Sequence, residues 1–331
     1  MQNLLIWYRK TSSNPLIILT ILLQKRFQDD FSPILIRTDN RDIVMVAQVV
    51  AKTSRSLVLK AHCPRTKQII CIKCSRGISD SFMTEIDIIK QLNRAKVPHV
   101  PQLLFTGEVY WHGEQMHCFA TDLVTHFFGS TSSITDTYFQ FGECIASVLP
   151  LPLSEVQIMA QDVVQALIGM HNLHLVHSDV KPSNIVRVWD SVLQRYKYSL
   201  IDFGFSFVEG TVSDGNWGCS VAYASLEMLN GNAPVSMINQ VQHKKLTMVI
   251  VQTAKDDLKA LWYTVIHALL GSLPWQYLAQ FVELTKWAKE GWHDDFAEVK
   301  DEQYVNLVSL YNLMDMLPEP HQAWQRYLTA Q

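Results

Sequence analysis

Residues 174 to 207 read HLVHSDVKPSNIVRVWDSVLQRYKYSLIDFGFSF, and their polar side chains are of types that can act together: Asp179, Asn184, Asp202 and, further along, Asp190. Asp179 and Asn184 lie five residues apart and bracket Pro182, which stops a helix from running through. NIVRVWD and RYKYSLIDFG read as two short strands able to pair as a hairpin, which would return Asp202 close to Asn184. Gly204 follows, where the backbone has a freedom that no side chain allows. A carboxylate that only accepts and an amide oxygen are hard ligands, suited to a magnesium ion that also binds phosphates. Asp179 is then left as an acceptor for a hydroxyl proton, with Lys181 supplying positive charge beside it.

These residues need elements to position them. Residues 43 to 75 carry the β-branched runs IVMVAQVV, SLVLKAHC and QIICIKC between polar turns, which predicts strands. SDSFMTEIDIIKQLNRA predicts a helix capped by Ser79 or Asp80, and extended segments return at HVPQLLFTGEVYW and QMHCFATDLV. The later part is helical. SEVQIMAQDVVQALIGMHNL opens with an expected capping box of Ser154 and Gln157, and DDLKALWYTVIHALLG is apolar nearly all round, as a helix in the middle of a core would be. A β-rich lobe followed by a helical lobe predicts a bilobal α+β protein with a cleft between its lobes.

Composition is consistent with that reading. The 331 residues, 48% hydrophobic and 18% charged, describe a folded chain large enough for two lobes. With 28 basic against 31 acidic residues, the balance gives no reason to expect nucleic acid or an anionic membrane as partner. The six cysteines (63, 71, 74, 118, 144 and 219) follow no disulfide spacing and fit a reducing compartment, cytoplasmic or nuclear. CIKC at 71–74 has no second pair at zinc spacing, so buried strand cysteines are expected there. The apolar run 16–23 is far shorter than the roughly 20 residues of a membrane span, so no span is expected and a packed flanking element is.

The 174–207 stretch resembles the catalytic and magnesium loops of protein kinases: HSDVKPSN stands for H-R-D-L-x-x-x-N, and DFG is intact. The resemblance implies a bilobal kinase-like fold, ATP as substrate, Mg2+ as cofactor held by Asn184 and Asp202, and Asp179 and Lys181 as catalytic residues. IICIK is similar to the V-A-I-K strand, which gives Lys73 the ATP phosphates. Glu85 has its own argument: it shares a helix face with Phe82, Ile88, Ile89 and Leu92, where an unpaired carboxylate is costly, and Lys73 is the partner the family pattern supplies. Asp122 and Leu123, at the end of QMHCFATDLV, also fall to the nucleotide by resemblance. SVAYASLEML resembles the A-P-E segment with Glu227 as its glutamate, and Asp257 resembles the aspartate that braces the catalytic-loop backbone. These segments together with DDLKALWYTVIHALLGSLPWQ are most similar to the casein kinase I branch. Lys181, two residues after Asp179, marks serine/threonine protein kinases, so the implied partner is a protein with a Ser or Thr acceptor. Oligomeric state has no signature.

The pattern also breaks. With Val58 at the valine of G-x-G-x-x-G-x-V, Ala51, Thr53 and Ser56 occupy the glycine positions, and phosphate contact would fall to hydroxyls with Lys52 and Arg55. Ser178 replaces the arginine that receives a loop phosphate, so no dependence on phosphorylation of Thr211, Ser213 or Ser220 is expected. Residues 1–44 are expected as an extension and 45–331 as the kinase-like domain. Its N-lobe is about 45–125 and its C-lobe about 126–331, with an insertion about 230–252 and a shortened C-terminal end lacking the arginine partner of Glu227; Arg326 is the nearest substitute. The expected activity is serine/threonine phosphotransfer from ATP. The rival is a pseudokinase, a nucleotide-binding or scaffold module without turnover.

Overall fold

The structure, a computed structural model, describes residues 32–38, 42–52, 56–62, 69–111, 114–122, 125–126, 142–190, 192–209, 213–214, 220–229, 249–250, 252–280, 282–297 and 302–329. The chain divides into two compact units, residues 1–90 with 101–143 and residues 91–100 with 144–331.

In the first unit, strands β1 (Ser32–Arg37), β2 (Asp42–Lys52), β3 (Ser56–His62), β4 (Ile69–Ser75), β5 (Leu103–Trp111) and β6 (Glu114–Thr121) close into an antiparallel barrel of order β1-β2-β3-β4-β6-β5. Alternation along the strands fills it: Leu57, Leu59 and Ala61, then Ile70, Ile72 and Cys74, then Met116, Cys118 and Ala120 are buried in one core. The same alternation turns Lys73 to the opposite face of β4. Closure depends on β1 reaching β5, where Leu35 pairs with Tyr110. A Cβ on Gly107 would lie 2.2 Å from the Arg37 carbonyl oxygen, so only glycine permits that approach. The barrel therefore starts ahead of the expected boundary at residue 45. A six-residue strand has too few alternations to stand out from a flanking extension, and pairing with β2 and β5 is what identifies it.

Cys74 faces Cys118 across β4 and β6, both buried. Burial pushes the Cys118 thiol up to about 12, which keeps it an unreactive packing group. Helix α1 (Asp80–Arg94) starts from Ser79, whose Oγ accepts the Phe82 N–H at 3.2 Å. It packs Phe82 on Phe119 of β6, with ring centroids 5.4 Å apart. Two short strands, β7 (Thr125–His126) and β8 (Gly142–Cys144), pair in parallel.

The second unit is mostly helical. Helix α2 (Leu153–His171) begins at Leu153 with Pro152 as N-cap and no side-chain cap. The expected Ser154–Gln157 capping box is therefore not formed, because Ser154 already lies inside the first turn. Strand β9 (Leu175–Val176) pairs with β12 (Phe207–Val208), and β10 (Ile185–Asp190) forms the predicted hairpin with β11 (Arg195–Leu200), Ile185 opposite Leu200. A short pair, β13 (Ser213–Asp214) with β14 (Val249–Ile250), and a one-turn helix α3 (Leu226–Leu229) follow. Helix α4 (Ala254–Leu270) carries a capping box of Thr253 and Asp256 and is buried from Asp257 to Ala268, as its all-round apolar pattern predicts. It ends at Gly271, φ +79°, in the left-handed region that favours glycine. Helices α5 (Val282–Ala297), α6 (Glu302–Met316) and α7 (Pro320–Thr329) complete the unit. Trp262, Tyr263, Trp275 and Tyr311 form its aromatic centre, and the Trp262 indole N–H donates to the Leu307 carbonyl at 2.8 Å.

Of the expected insertion, only residues 249–250 and 252 lie within the described residues, and the apolar run 16–23 lies outside them. Among the described residues no helix is long and apolar enough to cross a membrane.

Candidate functional site

In the first unit, Lys73 on β4 and Glu85 on α1 meet with Nζ 2.6 Å from Oε2. The glutamate is 4% exposed among Phe82, Ile88, Ile89 and Leu92, all buried. The sequence argument for a paired carboxylate on an apolar stripe holds. Ala51 and Lys52 end β2, with Ala51 opposite Val58 and Lys52 opposite Leu57; Ser56 opens β3. Thr53, Arg55 and Leu123 lie outside the described residues. Asp122 accepts the Gln102 N–H at 2.8 Å while its own N–H donates to the Gln102 carbonyl, so its carboxylate ties the end of β6 to the start of β5, 20 residues earlier.

In the second unit, Asp179 is 4% exposed and held from several sides. Lys181 Nζ lies 2.6 Å from Oδ2, Asn184 Nδ2 donates to the same oxygen at 3.0 Å, and Ser220 donates to Oδ1 from both its N–H (3.1 Å) and its Oγ–H (3.0 Å). Lys181 also donates to Ser220 Oγ at 2.8 Å. A hydroxyl thus sits between a carboxylate that can take its proton and an ammonium that can hold its oxygen. Asn184 donates from the same nitrogen to the Asp179 backbone carbonyl at 2.8 Å, which fixes its amide with Oδ1 as the acceptor end.

The loop backbone is set by Asp257 at the start of α4. Its Oδ2 accepts the His177 N–H at 2.7 Å and Oδ1 accepts the Ser178 N–H at 2.8 Å, the bracing that resemblance implied. His171 Nε2 lies 3.0 Å from Oδ2, and His171 Nδ1 lies 2.6 Å from Nε2 of His321 on α7. Ser178 has φ +74°, and its buried Oγ has no hydrogen-bond partner, beside a cavity of about 10 Å³. A residue in the left-handed region without being glycine is strained, and strain of this kind is kept where surrounding structure imposes it. His177 Nε2 donates to the Ile201 carbonyl at 3.1 Å and its Nδ1 accepts the Asp179 N–H at 3.3 Å, tying the loop to the DFG segment. The hairpin returns Ile201 to Asn184, N–H to carbonyl at 2.9 Å, and Asp202 follows with φ +65°.

Two departures matter. Glu227 does find a cation, from Lys259 on α4 and not from Arg326, which lies in the last turn of α7. Lys259 is 1% exposed and also reaches Asp315 at 2.8 Å. Ser220 is not an idle loop hydroxyl: its bonds to Asp179 and Lys181 make it part of the site. Thr211 lies outside the described residues, as does the side chain of Ser213. Among the described residues no cluster of three or more His, Cys, Asp or Glu is arranged to hold a metal.

The model of the Lipopolysaccharide kinase (Kdo/WaaP) family matches residues 78–206, the stretch from Glu85 through Asp179 and Asn184 to Asp202. Among solved structures, that of vaccinia related kinase 3 matches with a TM-score of 0.61 at 13% identity, covering 93% of this chain and 94% of that one. With nearly the whole of both chains in correspondence, the two share one fold, a kinase-like α+β fold.

Proposed function

We propose that the protein transfers the γ-phosphate of ATP to a serine or threonine hydroxyl of a protein, with Mg2+. The observation that carries the reading is the Asp179–Ser220–Lys181 arrangement, in which a hydroxyl is held between a proton acceptor at 3.0 Å and an ammonium at 2.8 Å. An acceptor hydroxyl needs the same two groups, one to take its proton and one to balance charge at the transferring phosphoryl group. Lys73, oriented by Glu85, binds phosphate oxygens. Asn184 Oδ1 and Asp202 fit magnesium, since two oxygen donors suffice when phosphates and water complete its shell. The ion would neutralise the phosphate oxygens and hold them in position. Asp179, Lys181 and Ser220 act on the acceptor, and Asp257 keeps their backbone in place. Assignment to the casein kinase I branch rests on SVAYAS and the α4 sequence.

Two other readings have specific support. The match to the Lipopolysaccharide kinase family favours a sugar hydroxyl as acceptor. Side chains at Ala51 and Ser56, where the pattern has glycine, favour a nucleotide-binding module without turnover. Thermal stabilisation by ATP, measured with and without magnesium, should be magnesium-dependent in the wild type and lose that dependence in Asp202→Ala. Radiolabel transfer should appear on serine or threonine of protein acceptors and vanish in Asp179→Asn with ATP affinity kept within a few-fold. Transfer to sugars alone, or stabilisation without transfer, would replace this reading by one of the other two.

A further inference from the structure

Residues 220–224, which bring Ser220 to Asp179, are fastened from behind along their length. Lys289 of α5 is 0% exposed, and its Nζ lies 2.5 Å from the Ala224 carbonyl oxygen and 3.3 Å from that of Val221. The ammonium also lies over the rings of Tyr263 and Trp275, 4.0 and 5.4 Å from their centroids. The Trp275 indole N–H donates to the carbonyl between them, Ala222, at 2.8 Å, and the Tyr223 hydroxyl lies 2.6 Å from His267 Nδ1. Burying an ammonium is costly, and a methionine would fill the same volume without that cost. What methionine cannot do is donate to two carbonyls at once and fix their direction. The aromatic faces offset part of the lost hydration.

We propose that Lys289 is a positioning residue for the hydroxyl acceptor. By holding the Val221 and Ala224 carbonyls it keeps Ser220 against Asp179 and Lys181, and so keeps that pair aimed at the incoming hydroxyl. This rests on the proposed phosphotransfer. Its effect falls on the acceptor and not on ATP, because Lys289 acts through residues 220–224.

The test compares full-length wild type, Lys289→Met and Trp275→Phe by amide hydrogen exchange and by steady-state kinetics with a serine-containing protein acceptor and ATP. Losing the charge-assisted bonds should speed exchange across 220–224 and lower acceptor kcat/KM by about ten- to a hundredfold, with the KM for ATP within about twofold. If Lys289→Met does not fold, Trp275→Phe, which loses the bond to Ala222 and trims the aromatic face beside the Lys289 ammonium, should show the same pattern at smaller size. Unchanged exchange and unchanged acceptor kinetics in a folded variant would overturn the proposal, as would an equal loss of ATP affinity. A wild type that transfers no phosphate refutes the proposed function instead, and the exchange comparison then decides by itself whether Lys289 holds the segment.

Discussion

Asp257→Asn removes one charge and one acceptor from a side chain that is 1% exposed and accepts two backbone N–H groups of the His177–Asn184 loop. With the asparagine oxygen at the Oδ2 position, the bonds from His177 and His171 survive as neutral ones and the amide nitrogen faces the Ser178 N–H. The opposite orientation is worse, since Oδ2 serves two partners. In the better case a buried N–H is left facing a donor, at about 1–3 kcal/mol, and two bonds lose charge assistance at about 0.5–1 kcal/mol each. Relaxation of Ser178 from φ +74° returns roughly 1 kcal/mol. The net loss should be about 1–4 kcal/mol, a large part of the 5–15 kcal/mol that typically separates folded from unfolded chains. Urea unfolding at neutral pH should show the midpoint fall with little change in slope, and exchange at the Ser178 amide should rise. A loss below about 1 kcal/mol would refute the view that Asp257 sets the loop.

Lys259→Met should cost only about 1–2 kcal/mol, because the side chains it leaves, Glu227 and Asp315, are 48% and 41% exposed and can reach water. Burial tends to raise the Asp315 carboxyl, but hydrogen bonds from Lys255 and Lys259 hold it below its usual range. The variant should therefore move Asp315 upward in an NMR titration, and an unmoved value would contradict the pairing. Burial, with the nearby His171, lowers His321 to about 4, while Asp257 and Glu209 oppose the shift. The unfolded chain binds a proton near pH 6.5 that the folded ring refuses, so stability should fall as pH drops from about 6.5 toward 4, by about 1–2 kcal/mol after discounting for a half-buried ring. Unfolding curves at several pH values should show a flatter slope in His321→Gln, and identical slopes would exclude this ring as the source.

The site was legible where its residues are close in sequence. Asp179, Asn184 and Asp202 sit within one loop and hairpin, and local spacing was enough to predict the hairpin that returns Ile201, beside Asp202, to Asn184. Lys73 and Glu85 were legible because a carboxylate on an apolar stripe needs a cation. Lys259 carried the same signal, one cation inside an all-apolar helix, but its partner Glu227 lies 32 residues away in a one-turn helix that has no periodicity to read. Lys289 gave less, since TKWAKE reads as an ordinary solvated helix face and only tertiary packing buries it. The Ser154–Gln157 box failed because the N-cap of α2 is Pro152, two residues ahead of Ser154. β1 was missed because pairing, not pattern, defines it.

The carboxylate that sets the His177–Asn184 loop lies 80 residues beyond His177 and 79 beyond Ser178. During synthesis at about 5–20 residues per second, the loop leaves the ribosome roughly 4–16 seconds before Asp257 does. Through that interval the N–H groups of His177 and Ser178 have only water to bond. The loop is therefore a late product of folding whatever its own sequence prefers, since long-range closure has to precede it. A chain halted before residue 257 could hold Asp179, Asn184 and Asp202 in order and still lack the geometry that makes them a site.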